Sequence, residues 1–362
     1  MPELFIGLMS GTSMDGIDAV LAAPDSSPSL LHHIHQPFAP QLRDTLLALN
    51  EPGTDELHRA ATAAISLSLA YATAVRTLLA QAATDAESVA AIGCHGQTVR
   101  HNPREGYTMQ LVNGALLAEL SGISVVCDFR SRDIAAGGEG APLVPAFHRA
   151  VFSHPEKERA IVNIGGIANI THLPPAGPVT GFDCGPGNVL MDAWIFLNRR
   201  LPYDAGGSWA VQGRLLPELL DRLLDHEFYG RTPPKSTGRE MFNLQALRKL
   251  LAGHESPADV QATLCELTAT AIARAINTYC RRTEEVYFCG GGARNSSLLQ
   301  RLAEMLPGRQ LGLTDDLGIT AECVEAAAFA WLAQRTLAAE PGNLPEVTGA
   351  SGPRILGAIY PA

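Results

Sequence analysis

Phe5-Ile6-Gly7-Leu8-Met9 is a short apolar run that breaks into Ser10-Gly11-Thr12-Ser13-Met14-Asp15-Gly16, and a second apolar run, Ile17 to Ala22, begins at once. Two strands joined by such a turn offer backbone N–H groups and small hydroxyls to an anion, and glycine lets the backbone come close to phosphate oxygens. An ordinary hairpin gives similar letters, since Asp-Gly is a frequent turn dipeptide. Recurrence favours the cradle: strand-then-glycine punctuation returns at Asn163-Ile164-Gly165-Gly166 and at Cys289-Gly290-Gly291-Gly292. The latter leads into Asn295-Ser296, a helix N-cap pair, and reads as strand, glycine turn, helix start. Successive glycines there let a flat ring approach the backbone.

A carboxylate stands in Gly181-Phe182-Asp183-Cys184-Gly185-Pro186-Gly187-Asn188, at the end of a strand-like run and just before a helix. Ligands of open α/β sheets bind beyond such strand ends, where an aspartate can act as general base toward water or a sugar hydroxyl. Helix capping is the competing role, but Asn188 or the turn itself is better placed for it. Polar groups also crowd behind two other apolar runs, as His95-Gly96-Gln97-Thr98 and Asp128-Phe129-Arg130. Sugars need several directional donors and acceptors, and the planar fork of Arg130 suits a carboxylate. An Arg130–Asp128 or Arg130–Asp133 ion pair is the plainer alternative, and His95 reads equally as a structural histidine or a substrate contact. Glu325 lies in an Ala-rich helix and matters only if its face looks into a site.

The spacings that would name other chemistries are missing. There is no P-loop ending in Gly-Lys-Ser/Thr, no kinase-type glycine loop with a strand lysine, no Rossmann fingerprint and no zinc-like cluster. A net charge of -10 supplies no basic stripe for nucleic acid. No basic n-region opens the chain, and no apolar run is read as approaching the ~20 residues of a membrane span. Seven cysteines without a C-x-x-C pair read as buried free thiols of a reducing compartment, so a cytoplasmic location without membrane partners is expected.

The elements that must position these groups follow from apolar pattern. Strands are expected at Leu4–Met9, Ile17–Ala22, Leu30–Pro37, Val89–Gly93, Tyr107–Leu111 and Ser124–Phe129, with helices at Gln41–Leu49, Asp55 to about Ala82, and Asn113–Leu120. After a Gly-rich loop, Ala135 to Pro142, readable as a hinge or a ligand-covering loop, the order repeats in outline. Strands at Ala160–Ile164, Ala168–Leu173 and Val179–Asp183 precede helices at Asn188–Asn198, Leu215–His226, Leu244–Leu251 and Asp259–Tyr279. Val286–Cys289 and Ile355–Tyr360 read as strands, Ser297–Leu306 and Ala321–Leu337 as helices. With 362 residues, two α/β domains around a cleft are expected.

Taken together, Gly7–Gly16, His95–Thr98, Asp128–Arg130, Gly140–Pro145, Asn163–Asn169, Gly181–Asn188 and Gly290–Gly292 closely resemble the anhydro-N-acetylmuramic acid kinase family, nearly end to end. The resemblance implies two ribonuclease-H-like domains of the actin-like ATPase and sugar-kinase fold flanking a central cleft. They would span 1–132, with 345–362 a candidate addition, and 133–344, the nucleotide-binding one. It implies ATP with Mg²⁺ as cofactor. Phosphates would lie on Gly11, Thr12, Ser13, Met14, Asp15, Gly16, Ile17 and Asp18, with Asn163, Gly165 and Gly166 as a second loop. Gly290, Gly291, Gly292 and Asn295 would border the adenosine. The implied substrate is 1,6-anhydro-N-acetylmuramic acid, in peptidoglycan recycling, with Asp183 activating a water that opens the anhydro ring while O6 is phosphorylated. Arg130 would meet the lactyl carboxylate, and His95, Gln97, Thr98 and Glu325 the remaining polar groups. A homodimer is the family expectation. Met9 stands where the wider superfamily carries an aspartate, so magnesium ligands are not transferred, and Asp18 and Asp183 stay open as metal-shell residues. Two rivals remain: an amino-sugar kinase without ring opening, and a nucleotide-gated binding protein.

Overall fold

The computed structural model describes residues 3–11, 14–23 and 29–362, which fall into two compact units, Met1–Val151 with Cys323–Ala362 and Phe152–Glu322. In unit 1, strands β1 (Leu4–Met9), β2 (Gly16–Ala23) and β3 (Ser29–Pro37) form a meander. Helices α1 (Pro40–Ala48) and α2 (Glu56–Ala82) follow, then strands β4 (Val89–Cys94), β5 (Gln97–Asn102) and β6 (Tyr107–Leu111). Helix α3 (Gly114–Ser121), β7 (Val125–Cys127), and helices α4 (Ser131–Ala135) and α5 (Val144–Phe152) complete the first passage.

Unit 2 opens with a second meander, β8 (Arg159–Ile164), β9 (Ile167–Leu173) and β10 (Thr180–Pro186), followed by helices α6 (Val189–Arg199), α7 (Pro217–Leu224), α8 (Leu244–Leu250) and α9 (Pro257–Tyr279). Strand β11 (Glu285–Cys289), α10 (Ser296–Met305) and β12 (Gln310–Leu313) close it. The chain then returns to unit 1 with α11 (Val324–Leu337), α12 (Pro345–Thr348) and β13 (Ala358–Tyr360).

The expected repeat of order is a repeat of topology. Unit 1 has the sheet order β13-β7-β4-β1-β2-β3 and unit 2 the order β10-β9-β8-β11-β12. Each sets an antiparallel three-strand meander beside parallel strands: β1 pairs with β4 and β4 with β7, and β8 pairs with β11 and β11 with β12. The continuous apolar runs of β1 and β4 are buried on both faces, as central parallel strands should be. The apolar stripe of α2, including Leu67, Tyr71, Val75 and Leu78, covers one face of the unit 1 sheet. Helix α11 covers the other, against β1 and β4.

That second contact has an unusual cause. Gly7 and Gly93 are register partners on β1 and β4, and a Cβ on them would lie 1.8 Å from Ala326 O and 1.9 Å from Phe329 O. The helix backbone therefore lies directly on the two strands. This holds the first turn of α11, with Glu325, at a fixed place above the sheet.

Three sequence expectations change. The Ala135–Pro142 loop lies inside unit 1, because the chain crosses between units at 151–152 and 322–323. It is stitched down by the fully buried Asp133, whose carboxylate accepts from Gly140 N (2.8 Å), Asn343 Nδ2 (2.6 Å) and Thr348 Oγ1 (2.8 Å). Strand β10 runs on past Asp183 to Pro186 through a bulge at 183–185, where Gly185 takes φ +143°. Finally, α2 is apolar and long enough to cross a membrane by length and composition, contrary to the reading of the apolar runs, and half of its apolar window is buried in unit 1.

Candidate active site

Parallel strands bring the turns that follow them to one end of a sheet. In unit 1 the register pairs Leu8 with Cys94, so Ser10-Gly11 and His95-Gly96 leave the sheet side by side. His95 N donates to Leu8 O (3.0 Å), Ser10 Oγ to Gly96 O (3.2 Å) and Gln97 Nε2 to Gly11 O (3.3 Å). A residue the sequence did not single out ties this knot from beneath. Tyr71 of α2, fully buried, shares a 2.7 Å hydrogen bond with Ser10 Oγ. Its signal in the sequence is weak, one phenol in an otherwise apolar helix stripe.

Arg130 follows the third parallel strand, β7, and meets His95. Its Nε and Nη2 lie 3.2 and 2.9 Å from His95 Nε2, and Nη1 donates to Gly140 O at 2.8 Å. The carboxylates proposed as its plain partners are occupied differently, Asp128 by Ser131 Oγ (2.5 Å) and Asp133 by the stitches above. Burial lowers the guanidinium to about 10, against the opposing pull of Glu325 and Asp133, so it stays charged at neutral pH. Burial, and then the Arg130 charge, hold His95 well below its usual value. The neutral ring accepts at Nε2 and therefore carries its proton on Nδ1, a buried donor beside the Ser10 and Gly96 backbone with no well-aligned protein acceptor. Gln97 Oε1 is a second such atom, an acceptor. A charged fork, an orphan donor and an orphan acceptor at one sheet end suit a polar organic ligand bearing a carboxylate. Thr98 is held by Gln110 Nε2 (3.1 Å).

Within the first turn, Thr12 and Ser13 lie outside the described residues. Met14 and Ile17 are buried in the core, so only their backbone is left for a ligand. Met14 N donates to Gly11 O (3.2 Å) and Met14 takes φ +53°. The His35 ring lies against Gly16, within 2.8 Å of where a Cβ would stand, and its Nδ1 is 2.8 Å from Asp18 Oδ1. That hydrogen bond raises the His35 pKa. Asp15 is exposed at the start of β2 and its charge adds to the same effect.

In unit 2 the register pairs Asn163 with Cys289, so the two glycine turns, 163–166 and 290–292, emerge together. The 163–166 turn is bound to the one after β10: Asn188 N donates to Gly165 O (2.8 Å), Gly187 N to Gly166 O (2.9 Å) and Asn188 Nδ2 to Ile164 O (3.1 Å). Gly290 (φ +78°) and Gly292 are packed too tightly for any side chain, against Asn163 and Ile164, whereas a Cβ at Gly291 would meet nothing within 4 Å. Asn163 Oδ1 is buried without a partner. Such a pair of bare backbone turns fits phosphate or a flat ring. Asn295 uses its side chain to cap α10, accepting from Leu298 N (3.1 Å).

Asp183 sits at the bulge of β10. It caps no helix, so the competing role falls away. Thr237 N donates to its Oδ2 at 2.9 Å, and Asp183 N donates to Lys235 O at 3.0 Å. Burial lifts the carboxyl from its usual range to about 6; Thr237 N–H pulls it down, Glu240 pushes it up and Lys235 pulls it down. It is ionised yet basic at neutral pH, which suits a general base. The segment carrying Lys235 and Thr237 is not among the motifs the sequence puts forward. A polar Lys-Ser-Thr-Gly-Arg-Glu run between helices was the available signal.

The sequence profile of anhydro-N-acetylmuramic acid kinase matches residues 3–362. A protein of that name from Nitrosomonas europaea is 56% identical over 361 residues, covering 99% of both chains. One from Nitrosospira multiformis is 57% identical over 361 residues, again covering 99% of each. Among solved structures, component A of the Acidaminococcus fermentans (R)-2-hydroxyglutaryl-CoA dehydratase superposes with a TM-score of 0.50 at 13% identity, covering 91% of this chain and 96% of that one, a likeness of fold. A profile match over nearly every residue, with relatives above half identity along the whole length, places this chain in the anhydro-N-acetylmuramic acid kinase family.

Proposed function

We propose that the protein opens the 1,6-anhydro ring of 1,6-anhydro-N-acetylmuramic acid with water and phosphorylates O6 from ATP, giving N-acetylmuramic acid 6-phosphate for cell-wall recycling. Kinase activity on this sugar is what the family name states, and a kinase of this family uses ATP. The observation that carries the ring-opening step is Asp183, a buried carboxylate near pKa 6 with one oxygen held and a protein scaffold around it. Asp183 takes a proton from water as the water oxygen bonds to C1. The C1–O6 bond breaks with its electron pair on O6, which bonds to the γ-phosphorus as the bond to the ADP oxygen breaks. The proton leaves Asp183 to solvent, so atoms and charge balance. Charge forming on O6 is quenched as it appears, and strain in the bicyclic sugar favours the cleavage.

Arg130, with His95, Gln97, Thr98 and Glu325, is read as the sugar-binding group, the guanidinium meeting the lactyl carboxylate. Gly11 to Asp18, Asn163, Gly165 and Gly166 are read as the phosphate turns, and Gly290–Gly292 as the adenosine border. Among the described residues no cluster of three His, Cys, Asp or Glu side chains forms a metal cage. This suits Mg²⁺ arriving on the nucleotide, since that ion binds mostly phosphate oxygens and water, with one or two carboxylates. With Asp183 assigned to the water, Asp18 is the carboxylate of this group left for such a contact. Seven buried cysteines without a disulfide support a cytoplasmic location. The homodimer expected for the family is tested by sedimentation.

The reaction is tested with ATP, Mg²⁺ and the anhydro sugar in ¹⁸O-labelled water, with the product read by mass spectrometry. A product heavier by one phosphate and one labelled water supports coupled opening and transfer. Phosphorylation of an open amino sugar alone would overturn it in favour of an ordinary sugar kinase.

A further inference from the structure

We propose that the segment Lys235–Glu240 is the positioning element of the base, with Thr237 N–H fixing Asp183 Oδ2 so that Oδ1 is the oxygen that takes the proton. This rests on the reading of Asp183 as base and adds what strand β10 cannot supply. A bulged strand fixes the Asp183 backbone but leaves the carboxylate free to turn about χ2, a broad and soft torsion. The segment grips the residue twice, main chain to main chain through Lys235 O (3.0 Å) and main chain to carboxylate through Thr237 N (2.9 Å). A general base must stay within hydrogen-bond reach of the water it deprotonates, and holding one oxygen aims the other.

The segment is itself anchored at both ends, although it contains neither helix nor strand. Lys235 Nζ lies over the Phe228 ring (4.6 Å) and near that of Tyr279 (5.9 Å), and contacts Phe228 O at 3.4 Å. At the other end Met241 N and Phe242 N both donate to Gly238 O at 3.2 Å, and Asn243 Nδ2 donates to Glu240 O at 3.0 Å. Thr237 Oγ1 contacts Met241 Sδ (3.2 Å), so the hydroxyl is engaged there and the N–H does the holding.

The groups around Asp183 define a pH signature. Charged neighbours acting on it are Lys235 and Glu240, both on this segment. Asn169, opposite on β9, is uncharged, and Cys184 beside it and Tyr229 beneath the bulge are kept protonated by burial. Loss of the Thr237 N–H therefore moves the base to higher pH, and loss of the Glu240 charge moves it to lower pH.

The test is the pH profile of kcat in three full-length variants, read by formation of phosphorylated sugar. Thr237 is replaced by its α-hydroxy analogue, so that a main-chain ester removes the N–H and keeps the side chain. Its kcat is expected to fall about tenfold, with the acid limb moving up by about one pH unit, the share of one backbone donor. Thr237→Ala keeps the N–H, so its acid limb is expected to stay where it is in the parent whatever the loss of the Met241 contact does to kcat. Glu240→Gln is expected to move the limb down by a few tenths of a unit, as for an exposed, screened charge. A merely structural role would not shift the limb in opposite directions. An unmoved limb in the ester variant, with kcat within about twofold, overturns the proposal. Asp183→Asn separates the two readings. If that variant turns over normally, the base and the positioning element both fall; if it is inactive while the ester profile is unmoved, only the positioning element falls.

Discussion

At the carboxyl ends of β1, β4 and β7 the polar side chains are bound to one another: Tyr71 to Ser10, Gln97 to Gly11, Arg130 to His95 and Gly140. At the carboxyl ends of β8 and β11 there is almost no side chain at all, only glycine turns pinned backbone to backbone, with Asn163 buried beside them. The two units share a topology and differ in what they place on it. Linked side chains fix the direction of each donor, as recognition of hydroxyls and a carboxylate requires. Bare turns allow close approach along a surface, as phosphates and a flat ring require.

The sharpest way to break this contrast is at Asp183, the one carboxylate on the unit 2 strands assigned to chemistry. Asp183→Asn should lower kcat by about 10²–10⁴-fold and leave ATP affinity unchanged by calorimetry; normal turnover would remove it as base. The parent kcat should fall as pH drops through about 6, because only the ionised carboxylate accepts a proton. The same raised value carries a stability consequence. The folded state holds the proton more tightly than the unfolded chain, so its relative advantage is present at low pH and lost as pH rises through about 6. Asp183→Asn should accordingly melt at higher temperature than the parent at pH 8 and lose that advantage near pH 4.

Next in size is Arg130→Ala, expected to raise the KM for sugar about tenfold or more while leaving that for ATP within about twofold, as loss of a charge-assisted pair would. The reverse order in steady-state kinetics would transfer Arg130 to the nucleotide. Glycine against glycine then tests the architecture. Gly7→Ala drives a Cβ into Ala326 O and should destabilise the protein by about 1–3 kcal/mol in denaturant titrations. Gly291→Ala meets open space and should stay within about 0.5 kcal/mol, with its effect confined to the KM for ATP. If the two glycines behave alike, the contrast between a packing glycine and a ligand-facing one is wrong. The smallest effect is expected of Tyr71→Phe, which leaves Ser10 Oγ with Gly96 alone. It should destabilise the fold by about 1 kcal/mol, with a change of only a few-fold in kcat.

Sequence reading reached the central strands and long helices because β1, β4, β8 and β11 are apolar runs buried on both faces, and α2 and α9 carry sustained apolar stripes. It missed β5, since Gln97-Thr98-Val99-Arg100-His101-Asn102 pairs only with β6 in a two-stranded ribbon and has little need of alternation. It missed β12 and α5 as well, a four-residue edge strand and a helix with Pro145 in its first turn. Local motifs put Asp183, Arg130 and the glycine turns forward. The contacts that orient them join Arg130 to His95, Tyr71 to Ser10 and Thr237 to Asp183, across 35 to 61 residues, and no local spacing encodes these.

The seat of α11 on Gly7 and Gly93 also bears on motion. Helices slide over sheets by small rotamer changes in the side chains between them. Here backbone rests on backbone, leaving no such layer to rearrange at that point. The helix, the two strands and the turns that follow them are thereby coupled into one stiff block. Any hinge or shear during turnover has to be absorbed outside it, and α11 amides should be among the slowest in the chain to exchange with deuterium.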